Sequence, residues 1–154
     1  MSLVDKIHQD MVGAMKQRAA ERLSTLRMVK AALKNKEIDQ RSPVTDEQAL
    51  QVLTTLIKQR RDSIEQFTKG NRPELAEKEA AEITVIEEYM PKAAGHEELR
   101  QLVDSTLAEL RAQGAQLGAK DMGTVMKAVQ VRIKADGVRA DGRVVSEMVK
   151  AALA

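Results

Sequence analysis

No cysteine occurs in the 154 residues, so disulfides, thiol nucleophiles and thiolate metal sites are all excluded. Tryptophan is also absent, and Phe67 and Tyr89 are the only aromatic residues. A core must therefore come from Leu, Val, Ile, Met and Ala, which favours helix packed on helix over a sheet. A repeated aromatic platform for stacking bases is excluded for the same reason. No apolar run is long enough to span a bilayer, and "MSLVDKIHQDM" lacks the apolar stretch of a signal peptide. Together these absences predict a cytosolic (cytoplasmic) chain with no membrane contact. A large excess of one charge is missing too: the net charge is +2, too small to identify a nucleic-acid partner by itself.

What is present is helical periodicity. Apolar residues recur at three and four positions through Leu3, Ile7, Met11 and Met15, and again through Leu23, Leu26, Val29 and Leu33, either as one helix or as two joined at "RAAERLS". The pattern gives out at Pro43. Thr45 with Gln48 then forms a capping-box signature ahead of Leu50, Leu53, Leu56, Ile57, Ile64 and Phe67. Asn71 is expected to cap a fourth helix with Pro73 in its first turn, and Pro91 to end it. "PKAAGHEE" reads as a boundary, giving an N-terminal helical domain over residues 1–92 and a smaller one over 93–154. The second domain shows helical stripes through Leu99–Leu110, then Val125–Ile133 with Asp121 as N-cap, then Val144–Leu153. No segment alternates as a strand should. The fold expected is all-α, multihelical and two-domain.

Catalytic equipment is sparse. His8 and His96 have no partner at a metal-ligand spacing, no serine sits in a nucleophile elbow, and "GAQLGAK" is one residue short of a phosphate loop. Asp136 and Asp141 are too few for a calcium loop. No catalytic residue, cofactor or metal is expected, and no DNA sequence-reading motif is present. Basic residues carry the remaining signal. Between Lys16 and Lys36 stand seven of them against one acid, Glu21, and Arg27, Lys30 and Lys34 share a helical face. Arg60 and Arg61 add a second basic pair. The decapeptide "KADGVRADGR", residues 134–143, doubles the triplet Ala-Asp-Gly. Gly137 suits a turn, Asp141 a helix cap, and Gly142 a first helical turn. Two readings of it stay open: a bend with a cap, or the same bend with Lys134, Arg139 and Arg143 as phosphate contacts.

Three blocks, "RLSTLRMVKAALKNKEID", "LIKQRRDSIEQFTKGNRPELAEKEAAEITVIEEYMP" and "DMGTVMKAVQVRIKADGVRADGRVVSEMVKAAL", are similar to the GatB/YqeY-like family across almost the whole chain. The third block resembles the small domain that the stand-alone members share with the tail of the tRNA-dependent amidotransferase B subunit. That resemblance implies two helical domains and a tRNA-associated binding role without autonomous catalysis, although family wording can borrow the carbon–nitrogen ligase activity with glutamine as amido-N-donor. It brings Lys127, Lys134, Arg139 and Arg143 forward as nucleic-acid contacts, with Arg27, Lys30 and Lys34 as a further surface. This chain departs from the family in its longer "QVRIKADGV" segment and in Ser146, where asparagine is common. The alternative is a helical adaptor with a protein partner, in which Met11, Met15, Met122, Met126 and Met148 supply adaptable surface.

Overall fold

The computed structural model describes residues 1–154 and contains seven α-helices and one very short parallel strand pair. The chain is multihelical and almost all-α, and it gathers into two compact units, Met1–Met90 and Pro91–Ala154.

In the first unit α1 is Leu3–Lys16, α2 Ala20–Gln40, α3 Asp46–Lys69 and α4 Pro73–Glu87. The chain therefore breaks between α1 and α2, where Arg18 takes a left-handed conformation (φ 56°). At α1 Ser2 accepts from the Asp5 amide while the Asp5 carboxylate accepts from the Ser2 amide. Hydrogen bonding from the Ser2 side chain, and then from the Ser2 backbone amide, holds the Asp5 carboxyl below its ordinary range. Thr45 and Gln48 exchange the same pair of bonds at α3, as their spacing predicts. Helix α2 ends before Pro43, with Arg41 in the left-handed region at its C-cap. Asn71 does not cap α4: it is left-handed itself (φ 55°), and Pro73 opens the helix after Arg72. The reversal after Gly70 needs one residue at positive φ, and asparagine is among the few that tolerate it. That demand outweighs capping. Ile7 and Ala14, Leu26, Val29 and Leu33, Ala49, Leu53 and Ile57, and Ile83 and Ile86 fill the core, closed by Val44 and Tyr89.

In the second unit α5 is His96–Ala112, α6 Met122–Ala135 and α7 Gly142–Leu153. Their stripes meet in a wholly aliphatic core of Leu99, Leu102, Val103, Leu107, Val125, Val129, Ile133, Val145, Val149 and Leu153. A 3₁₀ turn, Ala119–Asp121, leads into α6. Asp121 stands at the N-cap position of α6 but does not serve it; its Oδ2 accepts from the Gly118 amide at 2.8 Å and so closes the 3₁₀ turn. The one departure from an all-helical reading is the strand pair. Lys92–Ala93 (β1) lies parallel to Val138–Arg139 (β2), with the Ala94 amide bonded to the Arg139 carbonyl at 2.9 Å. Two residues are too few to show an alternation in sequence.

Candidate nucleic-acid interface

The bend between α6 and α7 is where the repeated Ala-Asp-Gly falls. Asp136 and Gly137 turn the chain off the end of α6, Gly137 at φ 67°, which a residue with a side chain adopts only under strain. β2 then carries the chain to Asp141, whose Oδ1 accepts from the Arg143 amide at 2.8 Å and caps α7. No atom lies within 4 Å of the place a Cβ would take at Gly142, so packing inside the chain does not require that glycine.

The candidate cations of this unit divide by what holds them. Lys127 is exposed in the middle of α6 and Lys134 is exposed in its last turn, two turns further along the same face. Arg143 is exposed as well, its side chain 88% open, with a 3.9 Å pairing to Glu147. Arg139 is different. It is half-buried, and its Nε donates to the Pro91 carbonyl at 2.9 Å, fastening the start of the unit to β2. Arg132, which shares α6 with the two lysines, is bound by Glu109 at 2.7 Å. Lys127, Lys134 and Arg143 are thus exposed to solvent, while the half-buried Arg139 also holds the Pro91 carbonyl. Exposed cations are the chemistry that meets phosphates by counterion release.

In the first unit Arg27, Lys30 and Lys34 are all exposed on α2. Lys30 Nζ lies 2.9 Å from His8 Nδ1 on α1, and Lys34 pairs with Glu37 at 3.4 Å. The pair Arg60 and Arg61 does not form a basic patch. Arg60 is 8% exposed; its Nε donates to Glu82 at 2.9 Å, its Nη1 to the Leu56 carbonyl at 3.2 Å, and Glu79 stands 4.0 Å away. Arg61 reaches Glu87 at 3.4 Å. Arg60 ties α3 to α4, and sequence spacing held the clue: it follows Ala49, Leu53 and Ile57 at the interval of the buried stripe.

A second network crosses this unit beside the end of α4. The Tyr89 hydroxyl donates to Asp10 Oδ2 at 2.6 Å, and Arg22 reaches Glu88 at 2.7 Å and the Tyr89 hydroxyl at 3.5 Å. Lys6 bonds Asp10 at 3.4 Å and lies 6.0 Å from the centre of the Tyr89 ring. The hydrogen bond from Tyr89 holds the Asp10 carboxyl below its ordinary range. Burial, with Asp10 adding to it, pushes the Tyr89 hydroxyl well above the ordinary tyrosine range.

Two clefts of about 420 Å³ open to solvent. One lies over Arg60, Phe67 and Leu75 in the first unit; the other runs between α5 and α7 over Val103, Val144 and Met148, rimmed by His96, Arg100, Asp104 and Glu147. Nowhere do three His, Asp or Glu side chains gather closely enough to hold a metal ion. Of the methionines named from sequence, Met15 is half exposed, whereas Met11, Met122, Met126 and Met148 pack against the two cores. Sequence reading missed Val131, 65% exposed on α6 and off the buried stripe. An apolar residue out of phase with its neighbours was the available signal.

Comparison with known proteins supplies the remaining identification. Relatives called altered inheritance of mitochondria protein 41, mitochondrial, include that of Lachancea thermotolerans, 38% identical over 121 residues, covering 77% of this chain and 65% of the relative. That of Kluyveromyces lactis is 40% identical over 108 residues, covering 68% and 58%, and that of Eremothecium gossypii 38% identical over 109 residues, covering 69% and 60%. The aligned part of the chain thus spans less than two thirds of these relatives. Their names overturn the cytosolic expectation, since the relatives are mitochondrial proteins. Absence of cysteine describes a mitochondrial protein as readily as a cytosolic one, and no helix here is long and apolar enough to cross a membrane, which separates neither compartment. The family model for the Yqey-like protein matches residues 4–153, through every helix of both units, and the chain therefore belongs to the YqeY-like family.

Proposed function

We propose that this chain is a tRNA-associated binding protein, related to the tail of the tRNA-dependent amidotransferase B subunit, that performs no catalysis of its own. The observation that carries the reading is the set of exposed cations Lys127, Lys134 and Arg143 on α6 and at the start of α7, in a chain of the YqeY-like family. Arg139 contributes from β2 while holding Pro91, and Arg27, Lys30 and Lys34 offer a separate patch on α2. Gly137 and Asp141 shape the bend that sets Arg139 and Arg143 in place, and Gly142 opens α7 after it. The units on either side of Pro91 act as two domains, near the 1–92 and 93–154 division expected from sequence.

Phosphate neutralisation makes binding fall linearly with the logarithm of salt concentration. The test is a titration of labelled tRNA, and of an unrelated RNA, across a salt series. Salt-sensitive binding that prefers tRNA is expected. No salt-sensitive tRNA binding at micromolar protein refutes the reading. Purified protein should also release no ammonia from glutamine and amidate no glutamyl- or aspartyl-tRNA.

One observation favours a second reading, a helical adaptor with a protein partner. The α5–α7 cleft has an apolar floor, and its rim residues His96, Arg100 and Asp104 make no side-chain hydrogen bond or ion pair. Helix-in-groove recognition uses such a cleft. Protein partners that stay bound after nuclease treatment, combined with failure of the tRNA titration, favour the adaptor.

A further inference from the structure

The second unit contains no phenylalanine, tyrosine or tryptophan, because Phe67 and Tyr89 both precede it. Recognition of single-stranded RNA depends on stacking unpaired bases against aromatic rings or guanidinium planes. This unit has no ring to offer beyond His96, and the one guanidinium on α6, that of Arg132, is tied to Glu109. What it offers is one continuous face of α6. Gly123, Thr124, Lys127, Gln130, Val131 and Lys134 are all exposed and fall within a sector about 120° wide centred on Lys127. From first to last the face is about 16 Å long, and its lysines stand about 10 Å apart along the axis. Helix α6 contains no aspartate or glutamate.

Two members of this face have no explanation inside the chain. Val131 is 65% exposed although every other valine of α6 is buried. Gly123 has no positive φ, and a Cβ built there meets nothing within 4 Å. Neither backbone nor packing requires glycine, yet glycine weakens a helix relative to alanine. A side chain is missing where the chain itself leaves room for one.

We infer that this face of α6 lies along the minor groove of double-helical RNA, with Gly123 where the helix comes closest to the sugar–phosphate backbone. The inference rests on the RNA-binding reading and names the RNA element. The A-form minor groove is wide and shallow and displays 2′-hydroxyls, whereas the major groove is too narrow for a helix. Thr124 and Gln130 supply the hydroxyl and amide that exchange hydrogen bonds with 2′-hydroxyls. Val131 rests on the ribose, and Lys127 and Lys134 reach phosphates at the groove edges. Nothing in this arrangement reads bases, so shape and the 2′-hydroxyl confer the preference.

The experiment titrates the full chain with a short RNA duplex, the DNA duplex of the same sequence and the single RNA strand, alongside tRNA. Gly123→Ala and Gly123→Met, both better helix formers, are compared with Lys127→Ala. Gly123→Ala is expected to raise Tm by roughly 1–5 °C, and Gly123→Met to weaken duplex-RNA binding at least about fivefold with no loss of Tm. Wild-type protein is expected to prefer the RNA duplex to both other ligands. Equal or better binding of DNA duplex or single strand overturns the inference, as does unchanged duplex binding by Gly123→Met. If Lys127→Ala weakens tRNA binding while Gly123→Met does not, RNA binding stands and the groove assignment falls. If wild-type protein shows no salt-sensitive tRNA binding, the underlying reading falls with it.

Discussion

Adjacent arginines on α3 should differ sharply in what they contribute. Arg60→Ala removes a guanidinium whose side chain is 10% exposed and leaves Glu82, 14% exposed, and Glu79, 24% exposed, without their cation. Breaking a buried ion pair from one side costs about 3–5 kcal/mol, because the surviving charge stays desolvated. The cleft beside Arg60 admits water to those carboxylates and reduces this, so about 2–4 kcal/mol is expected. Arg61, 59% exposed and 3.4 Å from Glu87, is a surface pair, and Arg61→Ala should cost less than about 1 kcal/mol. The assay is urea unfolding followed by the fluorescence of Tyr89, the only tyrosine, so that the midpoint reports the first unit. A second variant separates charge from packing. Arg60→Met/Glu82→Leu replaces the pair with apolar side chains of similar bulk and should recover more than half of the loss. If Arg60→Ala shifts the midpoint no more than Arg61→Ala, the buried-pair argument is wrong. If the double variant is as unstable as Arg60→Ala, stranded carboxylate charge is not the cause.

The Asp10–Tyr89 contact should respond at both ends of the pH scale. The lowered Asp10 carboxyl contributes stability that is complete above about pH 4 and is lost as pH falls through its folded value, so Asp10→Asn should flatten the acid limb of a Tm–pH profile. The raised Tyr89 hydroxyl contributes stability that is complete below about pH 10 and declines above it, and native protein should show no tyrosinate absorbance where the urea-unfolded chain already does. Asp141→Ala removes the one side-chain cap of α7 and should cost about 0.5–2 kcal/mol by thermal unfolding; an unchanged Tm refutes the cap's importance. Arg143→Ala, by contrast, should leave Tm within about 1 °C while lowering the salt slope of tRNA binding by about one. A normal slope removes Arg143 from the interface.

The helical frame was legible because each stripe follows from one rule, that residues three and four apart share a face. Leu53 and Ile57, Val125, Val129 and Ile133, and Val145 and Val149 are buried as that rule requires. The capping box at Thr45 was legible because both of its bonds are local. Residues with two possible local duties were not. Asn71 and Asp121 both suit an N-cap, and each instead serves the turn before it, where φ or an amide made the stronger demand. Charge misled in another way. Arg60 and Arg61 look alike in sequence, but only the Arg60 position continues the buried stripe, and Glu79 and Glu82, brought alongside by α4, decide its fate. Among the candidate cations, sequence shows positions but not engagements: nothing local says that Arg139 reaches back to the Pro91 carbonyl.

The two interiors give the halves of the chain unequal freedom to change. A core of Leu, Val and Ile, with no planar ring and no buried hydroxyl except that of Thr106, exchanges one aliphatic residue for another at a cost usually below about 1.5 kcal/mol, provided total volume is kept. Thr106 bonds its own helix, to the Leu102 carbonyl, and needs no distant partner. The second unit can therefore accumulate interior substitutions one at a time while keeping its backbone. The first unit cannot do so around Tyr89 and Arg60, because each is matched to carboxylates on another helix: Asp10 for one, Glu79 and Glu82 for the other. A change at either must be answered by a second change far away in sequence. Drift in that interior is stepwise and contingent, whereas in the second unit it is close to free.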